Sequence, residues 1–331
     1  MRQVWITRHG GPEVLQVREA PDPQPAAGEV RIRVKAAGVN FADVMARVGM
    51  YPDAPKPPCV MGYEVAGEID LPRERGGERV ISMTRFGGFS DLVCVAADRA
   101  VPMPKGLGFA EAASIPVVWL TAWHMLVELA HLQRGRTVLI HAAAGGVGTA
   151  ALQICKKVGA QTIGTASAGK HDRLRAMGLD HAIDYTREDF EKRVLEITSG
   201  RGVDVVLDAT GAFKKSFRCL APAGRLLMFG ASGVMSGEKK NLLTALSTVI
   251  RMPFFHPMRL MPDNKGIFGV NMGRMWNEQE LLLGELREVL AGFDSGEFRA
   301  VVDAEVPFAE ARRAHERIQS RQNFGKVLLV P

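Results

Sequence analysis

The stretch Thr137-Val138-Leu139-Ile140-His141-Ala142-Ala143-Ala144-Gly145-Gly146-Val147-Gly148 constrains this chain more than any other. A short apolar run leads straight into a turn of small residues, and a helical pattern follows from Gly146 to Val158. Strand, tight turn, helix and a further strand near residue 161 is the order of a dinucleotide-binding unit, with Ala143 where the first glycine of the fingerprint stands. Gly145 lets the backbone approach a pyrophosphate, and Gly148 lets the helix pack closely on the strand. Ala144, Gly145, Gly146 and Val147 open that helix, whose free N–H groups and positive dipole end suit phosphates. The alternative is a purely structural turn; the agreement of the flanking elements favours a cofactor.

The next strand bears on which cofactor. Chains that bind NAD place Asp or Glu about 20 residues after the turn, on the ribose 2′-hydroxyl. Here the sequence reads Gly164-Thr165-Ala166-Ser167-Ala168-Gly169-Lys170, with no carboxylate before Asp172. Thr165, Ser167 and Lys170 suit a 2′-phosphate, which a carboxylate would repel. A charge-assisted contact from Lys170 would add on the order of 1.5–3 kcal/mol. NADPH is therefore expected over NADH, the alternative being that Lys170 is a solvated residue opening a helix.

A chain of 331 residues is long enough for about two domains. The first hundred residues read as β-rich: Glu29 to Lys35 alternates apolar and charged side chains, and Pro and Gly punctuate the remainder. Around Ala110 the texture changes. Strand-like runs at Val138–Ile140, Gln161–Gly164, Val203–Leu207 and Arg225–Phe229 alternate with helical ones, the pattern of a parallel sheet with crossover helices. After about residue 265 mixed helix and strand return, ending in Lys326–Val330. The apolar run from Ala112 to Leu132 contains His124, Glu128 and His131, so it reads as a buried helix rather than a membrane span. Cys59, Cys94, Cys155 and Cys219 form no CxxC pair, which argues against a disulfide framework and a thiolate zinc site. Met1–Trp5 lacks the apolar core of a signal peptide, and a cytoplasmic setting is expected. The net charge of +6 is dispersed, so it fits a protein that binds a polyanionic cofactor better than one that binds nucleic acid.

Four further stretches carry a resemblance: Ala36-Ala37-Gly38-Val39-Asn40-Phe41-Ala42-Asp43, Gly62-Tyr63-Glu64-Val65-Ala66-Gly67, the small-residue turn, and Asn323-Phe324-Gly325-Lys326-Val327. With them the chain resembles, over nearly its whole length, the medium-chain dehydrogenase/reductase superfamily in its quinone oxidoreductase branch. Gly164 to His171 and Asn264 to Asn271 are similar to the vesicle amine transport protein group. The resemblance implies a GroES-like β-rich catalytic domain, discontinuous over residues 1–118 and 266–331, and a Rossmann doubly wound domain over 119–265, with the active site in the cleft. It implies further cofactor contacts: Thr121 beside the nicotinamide or its phosphates, Tyr185 at the adenosine end, Phe229 and Gly230 near the nicotinamide ribose, and Asn323 from the C-terminal segment. It also implies a homodimer formed through the Rossmann domains.

Two departures matter. Zinc-dependent relatives carry Cys where this chain has Asn40 and His where it has Tyr63, and they carry a four-cysteine lobe that is missing here. Neither Asn40 nor Tyr63 is a zinc ligand of the usual kind, so no metal is expected. The connection from Ile69 to Arg79 is also short. Without a metal, hydrogen bonds must polarise the acceptor, which suits quinones and enones because their developing charge is delocalised. Asn40, Tyr51 and Tyr63 are the candidate donors, with Asn40 placed by the resemblance facing the nicotinamide. The alternatives are a helix cap for Asn40 and an ordinary half-buried tyrosine for Tyr63; Asp43 reads as a structural acceptor. Relatives carry another Tyr where this chain has Met45. The expected activity is NADPH-dependent reduction of a quinone or enone. An alkenal double-bond reductase and a non-catalytic, membrane-associated NADPH-binding protein are the competing readings. The apolar segment Asn241 to Leu260 reads as packing within a dimer or against its own domain rather than on a membrane.

Overall fold

The computed structural model describes residues 1–230 and 253–331. Most of the apolar segment Asn241 to Leu260 therefore lies outside the described residues. The chain divides into two units, residues 1–120 with 273–331 and residues 121–230 with 253–272.

The chain enters the first unit through β1 (Arg2–Ile6), β2 (Leu15–Glu19), β3 (Glu29–Val39), α1 (Phe41–Val48), β4 (Cys59–Val60), β5 (Glu64–Leu71), β6 (Arg79–Met83), β7 (Leu92–Ala96), β8 (Val101–Pro102) and α2 (Phe109–Ala113). It passes through α3 (Pro116–Trp123) into β9 (Thr137–Ile140), α4 (Gly146–Val158), β10 (Gln161–Ala166), α5 (His171–Ala176), β11 (His181–Asp184), α6 (Phe190–Ile197), β12 (Val203–Asp208), α7 (Phe213–Arg218), β13 (Leu220–Met228) and β14 (Gly266–Gly269). It returns through the helix Gln279–Asp294, β15 (Val302–Pro307), the helix Ala311–Gln319 and β16 (Lys326–Val330).

In the first unit, β15, β16, β3, β5, β6 and β8 lie side by side, with β7 also pairing β3. The alternation read in the sequence of β3 is real. Val30, Ile32 and Val34 enter the core, while Arg31 and Arg33 reach Asp70 and Lys35 reaches Glu68 across the strand pair. In the second unit the strand order is β11-β10-β9-β12-β13-β14, all parallel. β9 and β12 are buried along their whole length, as strands covered on both faces must be, which is why they read as near-continuous apolar runs. The chain winds outward from β9 to β11 and restarts at β12, so the order reverses between β9 and β12. This is a doubly wound sheet.

The expected boundaries move. The first division falls inside α3 rather than at 118/119. The second falls beyond 265/266, because Gly266–Gly269 pairs in parallel with Arg225–Met228 and completes the second unit's sheet. The apolar run Ala112 to Leu132 is broken: α2 ends at Ala113, α3 begins at Pro116, and a π-helical turn spans His124–Leu129. Among the described residues no helix is long and apolar enough to cross a membrane.

The turn after β9 is held by contact rather than by side chains. Ala142 takes a left-handed φ of 51°, a conformation uncommon outside glycine. α4 then buries Leu152 and Ile154 completely, about 1.5–3 kcal/mol each, and ends on Gly159 at φ 81°. At Gly148 a Cβ would stand 2.5 Å from the carbonyl oxygens of both Ala142 and Ala143. Gly148→Ala should therefore cost about 1–3 kcal/mol, read as a lowered denaturant midpoint at unchanged slope. An unchanged midpoint would show that the helix can shift to make room.

Candidate functional site

In the second unit the site is the carboxyl edge of the parallel sheet. Gly145 is the N-cap of α4, at an ordinary φ of −78°, and Thr149 N–H to Gly145 O is 2.9 Å. The first N–H groups of such a helix have no partner within it and are available to an anion. A Cβ on Gly145 would meet only the Ala142 carbonyl, at 3.3 Å. The backbone does not need glycine there, so the open space on its outer side is what the glycine keeps. Ala144 is buried, and Gly145, Gly146 and Val147 are half-buried. Across the reversal point, Phe229 and Gly230 follow β13; Phe229 N–H donates to Asp208 O at 3.1 Å, and Gly230 lies against Ala209.

The hydroxyls expected around a 2′-phosphate part company. Ser167 is half-buried at the start of a short 3₁₀ turn, with Lys170 N–H donating to its carbonyl, and Lys170 is half-buried on the same turn. Thr165 is 2% exposed and its Oγ1 lies 3.1 Å from His141 Nδ1. Thr165, expected at the 2′-phosphate, is the penultimate residue of β10 and directs its hydroxyl to His141. Tyr185, just past β11, is exposed, and Thr121 is buried on α3.

In the first unit a buried polar cluster sits where β3 ends. Lys326 and Glu64 are almost wholly inaccessible, with Nζ 2.5 Å from Oε1. Lys326 Nζ also donates to Asn40 Oδ1 at 2.6 Å, Asn40 Nδ2 donates to Glu64 Oε1 at 3.0 Å, and the Val117 N–H at the start of α3 donates to Glu64 Oε2 at 2.7 Å. Gly38 has no Cβ because Glu64 occupies the space. Asn40 is the N-cap residue of α1, in a capping box with Asp43. Both amide hydrogens are committed, one to Glu64 and one, longer, to Gly38 O. Asn40, expected as a donor to the acceptor, bridges the Glu64–Lys326 pair in this structure. The reciprocal bond belongs to Asp43, which accepts Asn40 N–H at 2.7 Å and Gly62 N–H at 3.2 Å, so its reading as a structural acceptor holds. Burial pushes its carboxyl up to about 7, against those two bonds and the Lys326 charge.

Tyr51 and Tyr63 do come together, with their rings edge to face and centroids 6.3 Å apart. The Tyr63 hydroxyl is buried and makes no bond of good geometry among the described residues. Burial raises both hydroxyls above the usual phenol range, Tyr63 the further, so each stays protonated as a donor. Asn323, before β16, donates to Gly325 O at 2.9 Å. Among the described residues no group of three or more His, Cys, Asp or Glu could hold a metal ion. The ammonium of Lys326 already supplies the cation between Asn40 and Glu64, so this donor set does not fit zinc.

Glu64, Lys326 and His141 carry interactions that sequence reasoning did not assign. The signal was present: a carboxylate opening the apolar strand β5 and an ammonium opening the apolar strand β16 require each other once buried.

Two family models match the chain. One described as zinc-binding dehydrogenase covers residues 177–329, and one described as alcohol dehydrogenase GroES-like domain covers residues 26–105. The synaptic vesicle membrane protein VAT-1 homolog of Danio rerio is 37% identical, covering 99% of this chain and 70% of that protein. A quinone oxidoreductase of Pseudomonas aeruginosa is 34% identical over 100% and 99% of the two chains. The structure of Escherichia coli quinone oxidoreductase complexed with NADPH superposes at a TM-score of 0.85 with 31% identity, covering all of both chains.

Two buried groups of the first unit titrate in opposite senses. Asp43 keeps its proton in the folded protein up to about 7 but loses it near 3.8 when unfolded, so between these values stability falls as pH rises, by about 4 kcal/mol in all. His315, fully buried beside Arg47, is held down at about 3, so its contribution is lost as pH falls from 6.5 toward 3. In the overlap the two slopes oppose. His315→Leu should expose a stability that declines steadily from pH 4 to pH 7 in denaturant titrations; a flat profile would refute the assignment for Asp43.

Proposed function

Because the chain belongs to the medium-chain dehydrogenase/reductase superfamily, in the zinc-free quinone oxidoreductase group that includes the VAT-1 homologues, we propose that it is an NADPH-dependent oxidoreductase acting on a quinone or an enone. The observation that carries the reading is the contrast between its two key glycines. Gly148 is required by the fold, whereas Gly145, at the N-cap of α4, has ordinary backbone angles and only the Ala142 carbonyl oxygen beside the place of a Cβ, which leaves its outer side open to a ligand. The names of the Pseudomonas aeruginosa and Escherichia coli relatives support both the acceptor and the cofactor.

In this reading Ala144, Gly145, Gly146 and Val147 hold the pyrophosphate, and Ser167 with Lys170 holds the 2′-phosphate. Tyr185 borders the adenosine end, Thr121, Phe229 and Gly230 the nicotinamide half, and Asn323 closes the site. Bound NADPH supplies a hydride for an electrophilic carbon. The chain must then meet the oxygen that gains charge. Tyr51 and Tyr63 are assigned that task as hydrogen-bond donors; being hard to ionise, they stabilise the charge without giving up their protons, and solvent provides the final one. Asn40, Glu64 and Lys326 fix the end of β3 and the start of β5, which Tyr63 directly precedes. The functional division follows the notional 1–118/266–331 and 119–265 split except that β14 (Gly266–Gly269) belongs with the cofactor-binding unit. The exposed Phe254, Met258 and Met261 support a homodimer, and the cytoplasm is the setting.

Purified protein should oxidise NADPH in the presence of a quinone or enone from a broad panel, and should keep that activity in EDTA. Tight NADPH binding without turnover on any acceptor would overturn the enzymatic reading, and loss of activity with chelator would overturn the metal-free one. Lys170→Glu should raise KM for NADPH at least tenfold with little effect on NADH; equal effects on both would remove Lys170 from the 2′-phosphate site. Gly145→Val should abolish coenzyme binding in calorimetry while leaving the denaturation midpoint near that of the wild type.

A further inference from the structure

A chain of buried hydrogen bonds crosses the second unit at the reversal point of its sheet. Asp208, the last residue of β12, and Ser216 on α7 are fully inaccessible; His141, directly after β9, and Thr165 on β10 are nearly so. Ser216 Oγ lies 2.7 Å from Asp208 Oδ2 and 3.1 Å from His141 Nε2, and Thr165 Oγ1 lies 3.1 Å from His141 Nδ1. The other Asp208 oxygen accepts Thr210 N–H at 2.7 Å, the Thr210 hydroxyl at 2.8 Å and Gly211 N–H at 3.1 Å. The Phe190 ring packs edge to face on His141, with centroids 4.6 Å apart.

The protons in this chain are fixed by counting. Asp208 receives four donors and has none to give. Ser216 has a single hydroxyl proton, which it donates to Asp208, so it meets His141 with a lone pair. His141 Nε2 must then carry a hydrogen. Burial holds the imidazole below its ordinary pKa, against the attraction of Asp208, so the ring is neutral and Nδ1 is bare. Thr165 therefore donates inward to Nδ1. The residue types are those of a hydrolytic triad, but Ser216 stands between the acid and the imidazole and is sealed from solvent, so it is no nucleophile. What the chain joins is more telling: the ends of β10, β9 and β12, and through Asp208 the loop Ala209 to Gly211, on which Gly230 rests. These are the loops at the edge where doubly wound sheets take their ligands.

The geometry points to Asp208, Ser216 and His141 as a positioning relay for the dinucleotide: a one-way hydrogen-bond chain that locks His141 as the Nε2–H tautomer and ties the loop after β12 to the phosphate turn. This role rests on the dinucleotide reading above. The three residues touch no coenzyme themselves and act through the loops they hold. Reversal is possible in one variant. In Asp208→Asn the amide oxygen keeps the Thr210 and Gly211 donors, the amide nitrogen donates to Ser216, and Ser216 then donates to Nε2, so the proton on His141 must move to Nδ1. In Ser216→Ala the chain is cut.

The test pairs NMR with calorimetry. In ¹⁵N-histidine-labelled protein without coenzyme, the resonance of His141, assigned by its absence in His141→Gln, should show the neutral Nε2–H tautomer in the wild type and the Nδ1–H tautomer in Asp208→Asn. NADPH titrations should give a Kd about tenfold weaker in Ser216→Ala, and within about threefold of wild type in Asp208→Asn, where the chain survives reversed. A charged or Nδ1–H imidazole in the wild type overturns the relay without need of a variant. Folded Ser216→Ala that binds NADPH as the wild type does overturns its positioning role. Absence of any heat from the wild type with NADPH overturns the dinucleotide reading itself, and the positioning role with it.

Discussion

The first turn of α4 lies so close to the carbonyls of Ala142 and Ala143 that no side chain can stand at position 148. That contact sets where the helix begins and which way its N-terminus faces, and the rest of the second unit is arranged around it. The left-handed Ala142 swings the chain off the end of β9 sharply enough for α4 to fold back onto the sheet. The strain is tolerated because the surroundings over-determine it: β9 is buried along its length between β10 and β12, and α4 contributes a fully buried apolar face. The turn is held by this packing and by the buried hydrogen bonds of His141, and no side chain caps α4, so the first N–H groups of the helix remain available to an anion.

The first unit solves a different problem. A lysine and a glutamate taken out of water cost more than their attraction returns unless each remaining donor and acceptor is met. Here Asn40 bonds both partners, a helix N-terminal N–H reaches the second oxygen of Glu64, and Gly38 leaves room for the carboxylate. The arrangement is expensive to interrupt: removing one charge would strand the other, at about 3–5 kcal/mol. A fixed ammonium occupies the space between two oxygen-bearing side chains at the end of β3.

Much of this was legible in the sequence, and the exceptions have physical causes. The helix Gly146–Val158 and the strand Lys326–Val330 have the bounds expected, since apolar periodicity and a terminal glycine mark the one and an unbroken apolar run the other. The strand His181–Asp184 escaped notice because it is a short edge strand with a single fully buried side chain, Ile183. Gly266–Gly269 looked like the return to the first unit because a lone strand says nothing of its partner; only its pairing with Arg225–Met228 assigns it. The hydrogen-bond partners of Asn40 and Thr165 were not legible in the sequence. A side chain's position along an element follows from sequence, whereas the partner it turns toward depends on residues far away: Lys326 for Asn40 and His141 for Thr165.

The two glycines of the turn show how a site can be recognised with nothing bound in it. A glycine is explained either because the backbone adopts a conformation closed to other residues or because something lies where a Cβ would be. At Gly148 the second condition is met by the protein itself. At Gly145 φ is ordinary, and a Cβ would stand 3.3 Å from the Ala142 carbonyl oxygen alone. A glycine suits a helix N-cap in its own right, and here it also leaves the outer side of the turn open. It stands at a helix N-terminus on the edge of a doubly wound sheet where the strand order reverses, the place where such sheets take phosphates.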